Sequence, residues 1–194
     1  MFKEFKPAVI LLIALSILTG MIYPALVTGI ARLVFPNEAR GSVLERDGKV
    51  VGSSLIGQNF SDPKHFWGRP SATSPMPYNA AASSGSNQGP LSPALAEAVT
   101  GRIAALKASD PGQTAPIPVD LVTASASGLD PHISIAAALW QVPRIARTRH
   151  LSEEAVKAHV AARTEGRQWG FLGEPRVNVL RLNLDLDKVG DGRP

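Results

Sequence analysis

Between Pro7 and Ala31 the chain reads PAVILLIALSILTGMIYPALVTGIA, a run of about 25 positions without a charged side chain. As a helix rising about 1.5 Å per residue it covers the ~30 Å of hydrocarbon in a bilayer. Inside lipid such a helix satisfies its own backbone hydrogen bonds. A cleaved signal peptide has a shorter apolar core, roughly 7–15 residues, ending in small residues. TGIA followed by Arg32 matches that poorly, so the length favours a retained span over 7–34 behind a short tail, residues 1–6. Pro24 lacks an N–H and predicts a kink. Lys3 and Lys6 precede the span, while Arg32, Arg40, Arg46 and Lys49 follow it. Counted naively, these charges leave the C-terminal part in the cytoplasm, but long domains translocate largely regardless of charge.

The remainder, 35–194, has room for one soluble domain. Its balance excludes several classes. In the whole chain, 20 basic against 16 acidic residues leave a net charge of +4, and no basic run alternates with aromatics as a nucleic-acid surface would. There is no cysteine, which removes disulfides and thiolate chemistry.

GSVLERDGKVVGSSLIG reads as a β-hairpin turning at Asp47-Gly48. An irregular loop over 58–91 follows, rich in Pro, Gly, Ser and Asn. A loop of that length is disordered or functional, and its aromatics Phe60, Phe66, Trp67 and Tyr78 argue for order. Ser92-Pro93 predicts the start of a helix with Leu95, Val99, Ile103 and Leu106 in one stripe. Val119, Leu121 and Val122 suggest a short strand. Ser134 is placed as the cap of a helix that Pro143 would break or kink. Ser152 caps the next helix, with Leu151 stapled to Val156 and Gly166 at its end. RVNVLRLNLDLD alternates, so a strand is expected, with Leu180, Leu182, Leu184 and Leu186 on one face and a bulge near Val179. The expected class is α+β: one transmembrane helix, then a single mixed domain with a small antiparallel or mixed sheet.

No catalytic motif emerges. The phosphate-binding G-x-x-x-x-G-K-[ST] is missing, as is the Asp-Lys-Thr-Gly that forms an aspartyl phosphate. VTASASGLDPHIS, residues 122–134, lacks the G-x-S-x-G elbow of a serine hydrolase, which weakens a pairing of Ser125 or Ser127 with His132. His65, His132, His150 and His159 show no metal-ligand spacing. The hydroxyls and acid of that segment suit a turn and helix cap instead, through Ser125, Ser127, Gly128, Asp130 and Ser134.

Five blocks, GSSLIGQNFSDPKHFWGRPSAT, YNAAASSGSNQGP, PVDLVTASASGLDPHIS, WQVPRIARTR and GFLGEPRVNVLRLNLDLD, closely resemble, in order, the C subunit of the bacterial Kdp potassium-transporting P-type ATPase. One departure is Ala126, where the family pattern has Gly. The resemblance implies a non-catalytic inner-membrane subunit with a cytoplasmic N-terminus and a periplasmic soluble domain. It also implies two partners, a potassium channel-like subunit and a P-type ATPase subunit, so that potassium and ATP are handled by the complex and the chain needs no cofactor or metal of its own. A role as catalytic chaperone for ATP binding is credited to the family, which places a nucleotide contact at Gln141. Aromatic and Arg anchors favour Phe66, Trp67, Arg69 and Tyr78 as contacts with a partner. A free-standing membrane-anchored periplasmic binding protein is the alternative.

Overall fold

The computed structural model describes residues 3–190; the first two positions of the expected tail and the last four of the expected domain lie outside them. The chain divides into two compact units, Met1–Ser53 and Ser54–Pro194. The division falls within the segment that reads as a hairpin.

In the first unit, α1 (Phe5–Ile17) and α2 (Tyr23–Val34) are joined by a π turn over Leu18–Ile22. Together they make a continuous helix of 30 residues, none buried in the fold and long and apolar enough to cross a membrane. Pro24 explains the π turn: its ring would clash with the carbonyl four residues back. The widened turn, closed by the Tyr23 N–H on the Leu18 carbonyl, makes room for it. Strands β1 (Val43–Arg46) and β2 (Lys49–Ser53) form the predicted antiparallel hairpin. Asp47 and Gly48 both take positive φ, 51° and 73°, as a two-residue type I′ turn requires.

In the second unit, residues 54–92 hold a single 3-10 turn, Ala80–Ala82, before α3 (Pro93–Ser109). Then come β3 (His132–Ser134), α4 (Ile135–Arg149), α5 (Glu153–Ala162), β4 (Thr164–Glu165), β5 (Arg176–Asn178) and α6 (Val179–Gly190). The sheet has the order β3-β5-β4, antiparallel throughout. Its core joins Ile133 and Val177 of the sheet to Val142 and Ile145 of α4, Val156 and Val160 of α5, and Leu182 and Leu186 of α6. The α+β class and small antiparallel sheet are as the sequence implied.

Helix starts were legible. The Ser134 hydroxyl accepts the Ala137 N–H at 3.0 Å and that of Ser152 the Ala155 N–H at 3.1 Å. Ser92 holds the cap position of α3, but only its carbonyl takes part, receiving the N–H groups of Leu95 and Ala96.

Three expectations and part of a fourth are corrected. Of the break or kink expected at Pro143, the break does not occur: α4 runs on through the basic segment. Ala136, Leu139, Pro143 and Arg147 form its outer stripe, where water can take the carbonyl that Pro143 leaves free. Val119–Leu121 is a 3-10 turn and not a strand. Pro116 and Pro118 deprive a strand of ladder donors, and the turn lets the Asp120 carboxylate accept the Ser134 N–H at 2.8 Å. α5 stops at Ala162, before Gly166, because Thr164 and Glu165 pair with Val177 and Arg176. Finally, only Arg176–Asn178 of the alternating segment is strand. Asn178 then caps α6, accepting the Arg181 N–H at 3.1 Å, and the leucines, strong helix formers, continue as a helix without a bulge at Val179.

A period of two on a helix spreads side chains around it, so the four leucines are not equivalent: Leu182 and Leu186 are 0 % exposed, whereas Leu184 is half-buried. Leu182→Ala should cost about 2–5 kcal/mol, and Leu184→Ala clearly less. Equal losses in urea unfolding would fit the strand and not the helix.

Candidate functional site

Two buried carboxamides organise the loop that the sequence marks as functional. From α6, the Asn183 Oδ1 accepts the Phe66 N–H at 2.8 Å and its Nδ2 donates to the Phe66 carbonyl at 3.0 Å. From α4, the Gln141 Oε1 accepts the Trp67 N–H at 2.8 Å and its Nε2 donates to the Trp67 carbonyl at 3.1 Å. Each side chain thus supplies the pair of bonds a neighbouring strand would give, to successive residues of a segment that has no strand partner. A buried backbone group without such a bond is costly.

Arg144, one turn after Gln141, is 2 % exposed. Its guanidinium donates to the carbonyls of Pro63 and His65 and, at 2.8 Å, to the Gln141 Oε1. Its carbon lies 4.0 Å from the centre of the Trp67 ring, a cation–π contact in a dry setting. Burial pushes its pKa down to about 10, which leaves it charged at neutral pH. Arg149 extends the row, donating to the Lys64 and Leu186 carbonyls and to Asp187 at 2.6 Å. The His65 ring bonds the same Asp187 oxygen at 3.0 Å.

The second half of the loop is held by VTASASGLDPHIS. The Pro70 carbonyl accepts the Ser125 N–H at 3.2 Å, and the Ser127 carbonyl accepts the Ser84 N–H at 3.1 Å. The Ser71 hydroxyl donates to the Gly128 carbonyl at 2.7 Å. The Ser127 hydroxyl and the Asp130 carboxylate accept the N–H groups two residues on, at 3.1 and 3.0 Å. These turns, with the Ser134 cap, give the segment an internal purpose: it is a docking rail for its own chain. Gly128, at φ +67°, is required twice, because a Cβ there would stand 2.5 Å from Thr73 Cγ2. Ala126 is exposed and outside the left-handed region, so its methyl strains nothing.

The sequence-derived contact residues separate. Phe66 is 0 % exposed; the partner contact expected of it is replaced by a place in the core, because both of its backbone groups are drawn inward by Asn183. Trp67, Arg69 and Tyr78 remain half-buried around a cavity of about 260 Å³. Arg69 donates to Asp130 at 3.2 Å and to the Ala124 carbonyl at 3.3 Å. Tyr78 donates to the Arg69 carbonyl at 2.6 Å, and burial, then the nearby Asp130 charge, push its pKa up to about 12. Gln141, expected to contact nucleotide, is 0 % exposed. It is not at a helix end, and besides Trp67 and Arg144 it bonds the Ala137 carbonyl at 3.2 Å. Sequence reasoning missed Asn183 and Arg144. Asn183 stands as an amide within an apolar run, and that misfit was the available signal.

The family model described as "K+-transporting ATPase, c chain" matches residues 5–188. The chain belongs to the KdpC family. It is 67% identical over 184 residues to the potassium-transporting ATPase KdpC subunit of Dechloromonas aromatica (strain RCB), covering 95% of this chain and 96% of that one. To the KdpC subunit of Methylococcus capsulatus (strain ATCC 33009 / NCIMB 11132 / Bath) it is 62% identical over 189 residues, 97% of this chain and 100% of the relative. To that of Variovorax paradoxus (strain S110) it is 64% identical over 193 residues, 100% of both chains. KdpC is a subunit of a potassium-transporting ATPase complex, and the helix Phe5–Val34 suits a membrane assembly.

Removing the Gln141 amide strands the Trp67 backbone groups and one guanidinium bond. Gln141→Ala should therefore destabilise the chain by about 2–4 kcal/mol in the absence of any nucleotide. An unchanged urea midpoint would remove the clamp from the structural account.

Two carboxyls give a pH dependence. Burial alone would raise Asp187, but the hydrogen bonds from Arg149 and His65 outweigh it and hold its pKa below the ordinary 3.8. Burial likewise opposes, and His132 and then Arg69 overcome, to hold Asp130 below 3.8. A depressed folded pKa means stability that is complete above the unfolded value and lost as pH falls through the folded one. Urea midpoints should fall between about pH 5 and about pH 2, with a smaller fall in Asp187→Asn. An identical fall in that variant would exclude Asp187 as a source.

Proposed function

We propose that this chain is a non-catalytic accessory subunit of a high-affinity, ATP-driven potassium uptake complex. Its helix anchors it in the bacterial inner membrane and its folded unit, outside the cytoplasm, stabilises the assembly of a channel-like and an ATP-hydrolysing subunit. The observation that carries this reading is the family match over residues 5–188. The polar groups that looked chemical support it where they are engaged within the fold: Gln141 on Trp67, Arg144 on the loop carbonyls of Pro63 and His65, and the hydroxyls of Thr123, Ser127 and Ser134 on the chain's own turns and cap.

Potassium and ATP are, in this proposal, handled by the partner subunits. Any assistance to nucleotide binding acts through subunit contacts that the Trp67 loop helps to shape, with Gln141 setting that loop from behind. Trp67, Arg69 and Tyr78, half-buried at one cavity, are proposed as part of the surface a partner meets.

Tagged chain recovered in mild detergent from cells grown at limiting potassium should bring with it a P-type ATPase subunit and a channel-like subunit, with ATPase activity that disappears when the chain is deleted. Recovery of the chain alone, with potassium uptake unaffected by its deletion, would replace this reading with that of a free-standing binding protein. Orientation is tested in the same cells. Because the chain has no cysteine, Lys107→Cys supplies a single thiol, which a membrane-impermeant maleimide should label in intact spheroplasts. Labelling only after lysis would put the folded unit in the cytoplasm.

A further inference from the structure

The connection between β4 and β5 ends in an ordered knob. The Phe171 N–H bonds the Gln168 carbonyl at 3.2 Å, and Gln168 and Leu172 exchange backbone bonds of 2.9 and 3.0 Å. Below them Arg167 and Glu174 form a two-bond ion pair at 2.9 and 2.8 Å. On this braced turn Trp169 is 85% exposed, Phe171 69% and Leu172 43%.

The backbone makes the choice of residue more telling. Trp169 and Gly170, at the centre of the turn, have φ of +52° and +84°, the type I′ arrangement that Asn, Asp and Gly favour. A bulky aromatic in the left-handed region is an outlier. Strain of this kind points towards function when the residue held there gains nothing from its own fold. Trp169 gains nothing of that sort, since its ring projects into solvent.

We propose that the Trp169–Phe171–Leu172 knob is an anchor that inserts into an apolar pocket on another subunit of the same membrane complex. The inference rests on the accessory-subunit reading above and names one surface through which it works. The charges at the stem favour a protein pocket over a lipid surface. Arg167 is paired with Glu174 and Arg176 with Glu165 at 3.1 Å, so the collar around the knob is close to neutral. Lipid-surface attachment draws on unpaired basic residues around the apolar insert. A desolvated protein pocket accepts a preordered Trp ringed by neutral or internally paired groups.

The test uses the full chain in native membranes, with Trp169→p-benzoylphenylalanine and illumination. The expected product is a covalent adduct with one identified subunit of the potassium-transporting ATPase. In parallel, Trp169→Asn removes the ring while suiting the left-handed turn, so the thermal midpoint should stay level or rise. Binding to complex depleted of this chain should weaken roughly 30-fold, as for loss of a hot-spot Trp. Adducts with lipid alone, no adduct at all while the unsubstituted chain co-purifies with the pump, or unchanged affinity of Trp169→Asn would each overturn the proposal. Failure of the underlying reading looks different: the unsubstituted chain then recovers no ATPase subunit whatever stands at 169, and the knob's assignment falls with it.

Discussion

The second unit depends on how a segment without strand partners satisfies its backbone inside a packed core. Phe66 contributes a fully buried ring, and burying that ring takes the peptides on either side of it out of water. Asn183 and Gln141 resolve the conflict by acting as surrogate strand edges for Phe66 and Trp67. Because the two amides come from different helices, the loop locks α4 and α6 into one relative position. Arg144 adds a charge that cannot leave: carbonyls, the Gln141 amide and the Trp67 face replace its water.

The same logic accounts for VTASASGLDPHIS. Its composition resembles that of a chemical site because short polar side chains and a left-handed glycine are what a close backbone-to-backbone approach needs. Gly128 leaves the space that Thr73 and the Ser84 carbonyl fill, and Ser71, Ser84 and Pro70 reach carbonyls or N–H groups of the rail. A long irregular loop becomes a rigid surface by being bonded from behind at both ends. Trp67, Arg69 and Tyr78 stay half-buried, and the turn at Trp169 presents its ring to solvent. Both suit a chain of the KdpC family whose work is done in an assembly.

What the sequence by itself determined was local or compositional. The apolar run specified a helix of membrane-spanning length, because hydrocarbon tolerates little else. Asp47-Gly48 specified a hairpin, because both positions accept positive φ, and Ser134 and Ser152 specified helix starts through their hydroxyls. Five blocks of residues pointed to the family. These features need at most a few neighbouring residues to act.

Tertiary structure decided whatever depended on a partner distant in the chain. Whether the alternating leucines would be strand or helix turned on Asn178, which bonds the Ser54 carbonyl at 2.8 Å while capping α6. Where α5 stopped was set by Thr164 and Glu165 finding β5. Phe66 and Gln141, each plausible at a surface by residue type, went inside because their bonding partners lie 117 and 74 positions away in sequence. A period of two or an isolated amide is compatible with several local conformations; the burial and hydrogen bonding that choose among them exist only once remote segments have met.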